Sequence, residues 1–376
     1  SLTDEQRMLQ ETAQRVIETE YSFEQRREQL ADATDFAPGL WRTLAELGLL
    51  GLPFGEDVGG FGGDQFDVAV VMQALGRGLA VTPYIPTVVL GGTLLSASSP
   101  HHALLEKIST GDLQLAWAFA EPQARFDLTD TLTRAQESND GFTLNGRKSV
   151  VVNAPGADYL IVSARTSGNQ RDTNGLSLFL VPRAANGVRM KAYRTNDDHW
   201  AADVSFENVT LARDALVGTV DDAWELIEST ADVGTVALCA EALGAMDQIM
   251  DLTKDYLNTR EQFGKLIGKN QALQFRMVEM FYQVEESRSL LGWALRALDG
   301  DATQRRAAVS ATKVKVGEAA RFLGQQGIQL HGAIGMTEEF PIGHYYKRLE
   351  SIRVMFGDPD YHLARFGRWN QAQNDE

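Results

Sequence analysis

The 376-residue sequence predicts an α+β fold in three parts. These are an N-terminal α-helical domain over residues 1–115, a middle antiparallel β-barrel or sandwich over 116–220, and a C-terminal four-helix bundle over 221–376. Two observations predict it. Apolar residues recur at helical spacing toward both ends of the chain, whereas the period shortens to two in the middle. Turns carrying Gly, Asn and Pro punctuate that middle region at short intervals, which suits antiparallel strands better than strand–helix units.

At the N-terminus, Thr3-Asp4-Glu5-Gln6 reads as a capped helix start. Trp41, Leu44, Leu47 and Leu50 recur at helical spacing and imply a buried stripe. A glycine-rich loop runs from Gly55 to Gly63, and helical periodicity resumes at Phe66. In the middle, Phe142–Lys148, Val150–Val152, Tyr159–Val162, Leu176–Val181 and Ala202–Phe206 read as strands. Beyond Ala223, helices are expected over Ala242–Leu257, Gln271–Leu298 and Arg305–Leu330, lengths that fit a bundle.

Composition narrows the function. Apolar residues make up 44% and charged residues 23%, a globular mix. The formal net charge of −16 argues against sequence-independent nucleic-acid binding, which rests on neutralising phosphates. A single cysteine, Cys239, excludes an internal disulfide and a cysteine zinc cage, and its apolar surroundings place it in the core. The six histidines show no metal-ligand spacing, so no metal is expected. Ser1–Arg7 lacks the pattern of a secretory signal. The apolar run over 81–97 is broken by Pro83, Pro86 and paired glycines, short of a membrane span. These features lead us to expect a cytoplasmic protein with no membrane span.

Two segments offer ligand chemistry. Thr259–Gly268 (TREQFGKLIG) gathers cationic donors, an amide, an aromatic ring and glycine backbone at a helix end. Ile328–Gly335 (IQLHGAIG) sets an amide beside glycines that permit close backbone approach. Together they suit an adenine and a pyrophosphate. The plainer alternative is that Arg260 stabilises a helix C-terminus and that Gly264 and Gly332 end helices.

These segments, with Trp41–Gly63 (WRTLAELGLLGLPFGEDVGGFGG) and Trp117–Asp127 (WAFAEPQARFD), resemble the signatures of the acyl-CoA dehydrogenases, in the same order along nearly the whole chain. The resemblance is nearest to the small subunits of heteromeric members such as pimeloyl-CoA dehydrogenase and steroid side-chain acyl-CoA dehydrogenases. It implies FAD-dependent α,β-desaturation of an acyl-CoA thioester, with electrons passing to an electron-transfer flavoprotein. By the same resemblance, Arg260, Gln262, Phe263, Gln329, Gly332 and Ala333 match the residues that clamp the ADP half of FAD, with Ile267 and Gln271 beside them.

The chain departs from the family pattern on the other side of the site. Ala120 stands for the Thr of T-E-P, and Arg125 and Phe126 replace a Gly and a Ser. Val150 and Val152 replace a flavin-lining Trp and Thr. The two family positions for the catalytic base match Gly234 and Phe356, neither of which takes a proton. Glu241, two turns beyond Gly234, is an outside candidate for the base or else a buried glutamate paired with an arginine; Asp358 and Glu350 rank below it. The pattern implies a larger acyl-CoA dehydrogenase-like partner, in a heterodimer or heterotetramer, that supplies ring pocket and base; a second copy of this chain is the other partner considered. A flavin monooxygenase on the same fold and a non-catalytic scaffold are the alternatives.

Overall fold

The computed structural model describes residues 2–31, 38–262 and 264–374. The chain forms two compact units. One gathers the chain up to Arg27, Gln65–Ala80 and everything from Thr235 on; the other gathers Glu28–Asp64 and Val81–Gly234.

The first unit is helical. It contains α1 (Asp4–Glu20), α4 (Gln65–Arg77), most of α7 (Trp224–Thr259), α8 (Gln271–Ala297), α9 (Ala302–His331), α10 (Pro341–Val354) and α11 (Pro359–Asn374). The expected start of α1 is present as a full capping box. The Thr3 hydroxyl accepts from the Gln6 N–H, and the Gln6 side chain accepts from the Thr3 N–H, both at 3.1 Å. The three helices expected near the C-terminus lie within α7, α8 and α9. α9 is the central member and packs against α8, α10 and α11. α4 crosses α7 on bare backbone: a Cβ at Gly76 would collide with the Glu241 carbonyl, and one at Gly244 with the Gln73 carbonyl. α7 is long and apolar enough to cross a membrane by composition, which the 81–97 run is not. However, 78% of its apolar window is buried inside the protein, as befits a core helix.

The second unit holds α3 (Pro38–Glu46), α5 (Gly92–Ser96), α6 (His102–Ser109) and an eight-stranded sheet; α2 (Phe23–Ala31) begins in the first unit and ends here. The strands are β1 (Leu115–Ala118), β2 (Arg134–Ser138), β3 (Gly141–Val152), β4 (Tyr159–Arg165), β5 (Leu176–Pro182), β6 (Val188–Arg194), β7 (Trp200–Ala212) and β8 (Leu216–Val217). Their order is β6-β7-β3-β2-β4-β5-β8, with β1 on β4. Most pairs are antiparallel as expected, but β1–β4 and the single β2–β4 pair are parallel. One face carries a core that includes Phe142, Leu144, Phe179, Val204 and Phe206.

Two local readings change. Leu47 is 45% exposed, because α3 stops at Glu46 and Gly48 turns the chain at φ 73°; of the four, Trp41 and Leu44 are buried on α3 and Leu50 beyond its end. The two strands expected over 142–152 are one strand, β3, interrupted by a bulge where its register to β7 shifts between Lys148 and Val151. At that bulge Val150 adopts φ 52°, a left-handed conformation that a β-branched residue tolerates poorly.

Candidate functional site

The two ligand-bearing segments end neighbouring helices. Arg260 follows the last turn of α7, and its carbonyl accepts from the Ile267 N–H at 2.9 Å. That bond closes a hairpin of β9 (Glu261–Gln262) and β10 (Lys265–Leu266), turned through Gly264 at φ 75°. Gln329 lies in the last turn of α9, whose end is set by Gly332 at φ 66°. A left-handed residue there favours glycine, as the plainer reading of the sequence held.

Ring stacking holds these helix ends together. The His331 ring lies 4.6 Å from the Tyr256 ring of α7 and 5.0 Å from that of Phe340, and its Nδ1 donates to the Gly327 carbonyl at 2.8 Å. Burial holds the imidazole below its ordinary pKa, so it is neutral at pH 7. Sequence reasoning missed Tyr256 as a member of this site. The signal was present, since Tyr256 stands four residues before Arg260, one turn away on the same face.

The side chains of Arg260, Gln262, Gln271 and Gln329 are exposed and take no partner among the described residues. Ile267 is half-buried, and Gly332 and Ala333 are exposed. Nothing lies within 4 Å of where a Gly332 Cβ would stand, so its backbone is open to close approach. α8 begins at Gln271, and its first amides favour negative charge. Phe263 lies outside the described residues. This surface therefore combines a fixed cation, amide donors and open backbone, the donor set that a dinucleotide's phosphates and adenine require.

The sheet unit differs. Lys148 and Glu121 form a buried ion pair at 2.8 Å. Burial alone would raise the Glu121 pKa, but the Lys148 ammonium and the donors from Gln123 and Thr133 outweigh it and keep the carboxylate ionised. Glu121 also accepts from the Leu132 N–H, so it is fully engaged. At the bulge, the Val150 N–H donates to Asp203 at 3.2 Å and the Ser149 N–H to the Ala120 carbonyl at 2.9 Å. Tyr193 donates to the same Asp203 oxygen at 3.1 Å. The Arg125 guanidinium lies over the Phe126 ring, 5.3 Å from its centroid. This stretch thus offers an exposed Val150 and the Asp203 carboxylate, with the Ser149 and Val150 amides already spent. It does not fit the polar edge of a flavin ring.

No free base stands at the positions considered. Gly234 is buried within α7 and Phe356 half-buried after α10. Glu241 faces Arg348 of α10, which holds both of its oxygens at 2.6 and 2.7 Å; Glu241 itself is 3% exposed. This is the paired-glutamate alternative of the sequence reading. Asp358 caps α11 through the Tyr361 N–H at 2.8 Å, and Glu350 pairs with Arg353 at 3.0 Å. Among the described residues no three His, Cys, Asp or Glu gather as a metal group.

Three family models match: acyl-CoA dehydrogenase N-terminal domain over residues 3–110, middle domain over 116–209 and C-terminal domain over 221–370. The 3-(aryl)acrylate reductase of Clostridium sporogenes is 27% identical, over 89% of this chain and 91% of its own. The mitochondrial short-chain specific acyl-CoA dehydrogenase of Rattus norvegicus is 28% identical, over 84% of this chain and 78% of its own. Among solved structures, the Tcur3481-Tcur3483 steroid ACAD superposes with a TM-score of 0.89 at 27% identity, covering 99% of both chains.

Proposed function

Because the chain belongs to the acyl-CoA dehydrogenase family, whose members bind FAD, we propose that it is one subunit of a heteromeric dehydrogenase that desaturates an acyl-CoA thioester between its α- and β-carbons. FAD, when bound, supplies the hydride acceptor. In this reading the chain grips the nucleotide end of FAD. Arg260 pairs with the pyrophosphate, Gln262 and Gln329 hydrogen-bond the ADP half, and Phe263 belongs to the same clamp by the resemblance. Gly332 and Ala333 let the backbone approach, while Ile267 and Gln271 flank the clamp. A larger acyl-CoA dehydrogenase-like partner holds the reactive ring and supplies the carboxylate that takes the α-proton. Electrons leave to an electron-transfer flavoprotein, and the complex works in the cytoplasm.

One observation carries this reading. The positions that the resemblance assigns to the base are Gly234 and Phe356, and Glu241, the first outside candidate, has both carboxylate oxygens held by Arg348. Nucleotide-side donors without a carboxylate at the two positions that the resemblance assigns to the base make half of a site. The likeness to the two-component Tcur3481-Tcur3483 steroid ACAD supports a heteromeric assembly.

The test is flavin per chain, read from visible absorbance. The chain expressed alone should be colourless. Co-expression with its larger partner should give a yellow complex with one FAD per two chains and acyl-CoA oxidation. A fully flavinylated, active complex of this chain alone would refute the reading.

A further inference from the structure

We infer that residues 354–362 form an acid-released latch, in which His362 and Lys313 hold a strained turn closed and protonation of His362 opens it. The turn joins α10 to α11 and carries two left-handed residues, Phe356 at φ 56° and Gly357 at φ 124°. A phenylalanine in that region is strained and persists only where its surroundings fix it.

What fixes it is buried. His362 is 1% exposed. Its Nε2 donates to the Phe356 carbonyl at 3.1 Å; a carbonyl only accepts, so the proton is on Nε2. Nδ1 is then left to accept from the Ser310 hydroxyl of α9 at 3.4 Å. From α9 as well, the buried Lys313 ammonium donates to the carbonyls of Ile352 and Met355, capping the C-terminus of α10. Gly357 has no room for a side chain, because a Cβ there would press on the rings of Tyr361 and His362.

The charges around His362 are of one sign. Lys313 of α9 and Arg365 of α11 both oppose its protonation, after burial itself, and together they lower its pKa to about 3. Lys313 in turn faces Cys239 of α7 and Arg348 and Arg353 of α10. Tyr361 meets the imidazole edge to face at 5.2 Å. An imidazolium in this place would face two cations, while the acidic Asp358 turns its backbone carbonyl to the His362 N–H and its carboxylate to the Tyr361 N–H, so the proton binds far better once the turn has opened. This inference does not depend on the proposed function.

Hydrogen–deuterium exchange of the segment tests it. The Met355, Gly357 and His362 amides donate to Ser351, Val354 and Asp358 carbonyls and report opening. With about 3 closed and the ordinary 6.5 open, linkage gives a population of the open form about 25-fold higher at pH 5 than at pH 7. Protection of residues 354–363, measured against the unfolded chain at each pH, should fall by that factor. In His362→Gln, which keeps a donor for the Phe356 carbonyl and cannot titrate, it should stay level. An equal fall in His362→Gln, or no fall in the native chain, would overturn the inference. If the variant does not fold, the His362 ring resonance of the native protein decides: titration near pH 3 supports the latch, and titration near 6.5 refutes it.

Discussion

Removing Arg348 from its pair with Glu241 distinguishes a structural carboxylate from a catalytic one. Arg348→Met leaves Glu241, 3% exposed, without the fork that engages both of its oxygens. Stripping one partner from a buried pair costs roughly 3–5 kcal/mol, whereas replacing both by apolar residues is often neutral or stabilising. Arg348→Met should therefore lower the free energy of unfolding by about 3–5 kcal/mol, and the double variant Glu241→Leu/Arg348→Met should recover most of that loss. Urea unfolding followed by far-ultraviolet circular dichroism reads both. In the assembled complex, Glu241→Gln should change kcat by no more than a few-fold, since the proposed assembly takes its proton-abstracting group from another chain. A loss below about 1 kcal/mol for Arg348→Met would refute the structural assignment. So would a fall in kcat of about a thousand-fold for a stably folded Glu241→Gln, which is the scale expected on losing a general base.

Other outcomes follow from the same geometry. Lys148→Met strands Glu121 and should destabilise the sheet unit by roughly 3–5 kcal/mol in the same denaturation assay. Val150→Gly relieves a left-handed β-branched residue of about 1–3 kcal/mol of strain against about 1 kcal/mol of added chain entropy, so it should be neutral to stabilising. Gly244→Ala forces a methyl into the Gln73 carbonyl and should destabilise by about 1–3 kcal/mol or abolish soluble expression. Arg260→Ala should weaken FAD retention of the co-purified complex by about tenfold or more, as a charge-assisted donor is lost; unchanged flavin content would count against the clamp. Burial lowers the Lys313 pKa from 10.5 to about 8, so between those values the unfolded chain holds a proton that the folded chain has released. Stability should gain with pH across that window, and urea titrations of Lys313→Met should lack the gain.

Much of the fold was legible because it rests on local periodicity. α8 and α9 fall within a few residues of the expected spans, since long amphipathic repeats signal both the element and its buried face. The Thr3–Gln6 box was equally local. The β3 bulge was not legible: the run KSVVVN shows only alternating and continuous apolar character, and the register shift depends on β7, far along the chain. The same limit applies to the candidate site. The donor-rich turns could be read from residue types, and the place of Tyr256 one turn before Arg260 from spacing, but its contact with His331, and that of His331 with Phe340, could not. Nor could spacing choose between a base and a buried ion pair for Glu241, because Arg348 is 107 positions away. Contacts between distant segments carry no periodic signature.

The Lys148–Glu121 pair has a corollary. The residues by which this chain departs from the family pattern are interleaved with the two of a buried ion pair: Ala120 adjoins Glu121, and Val150 stands two positions from Lys148. Ligand chemistry and architectural support thus occupy different letters of the same short words. A substitution at Ala120 or Val150 can therefore alter what the sheet unit presents to a ligand while leaving the buried Lys148–Glu121 pair in place.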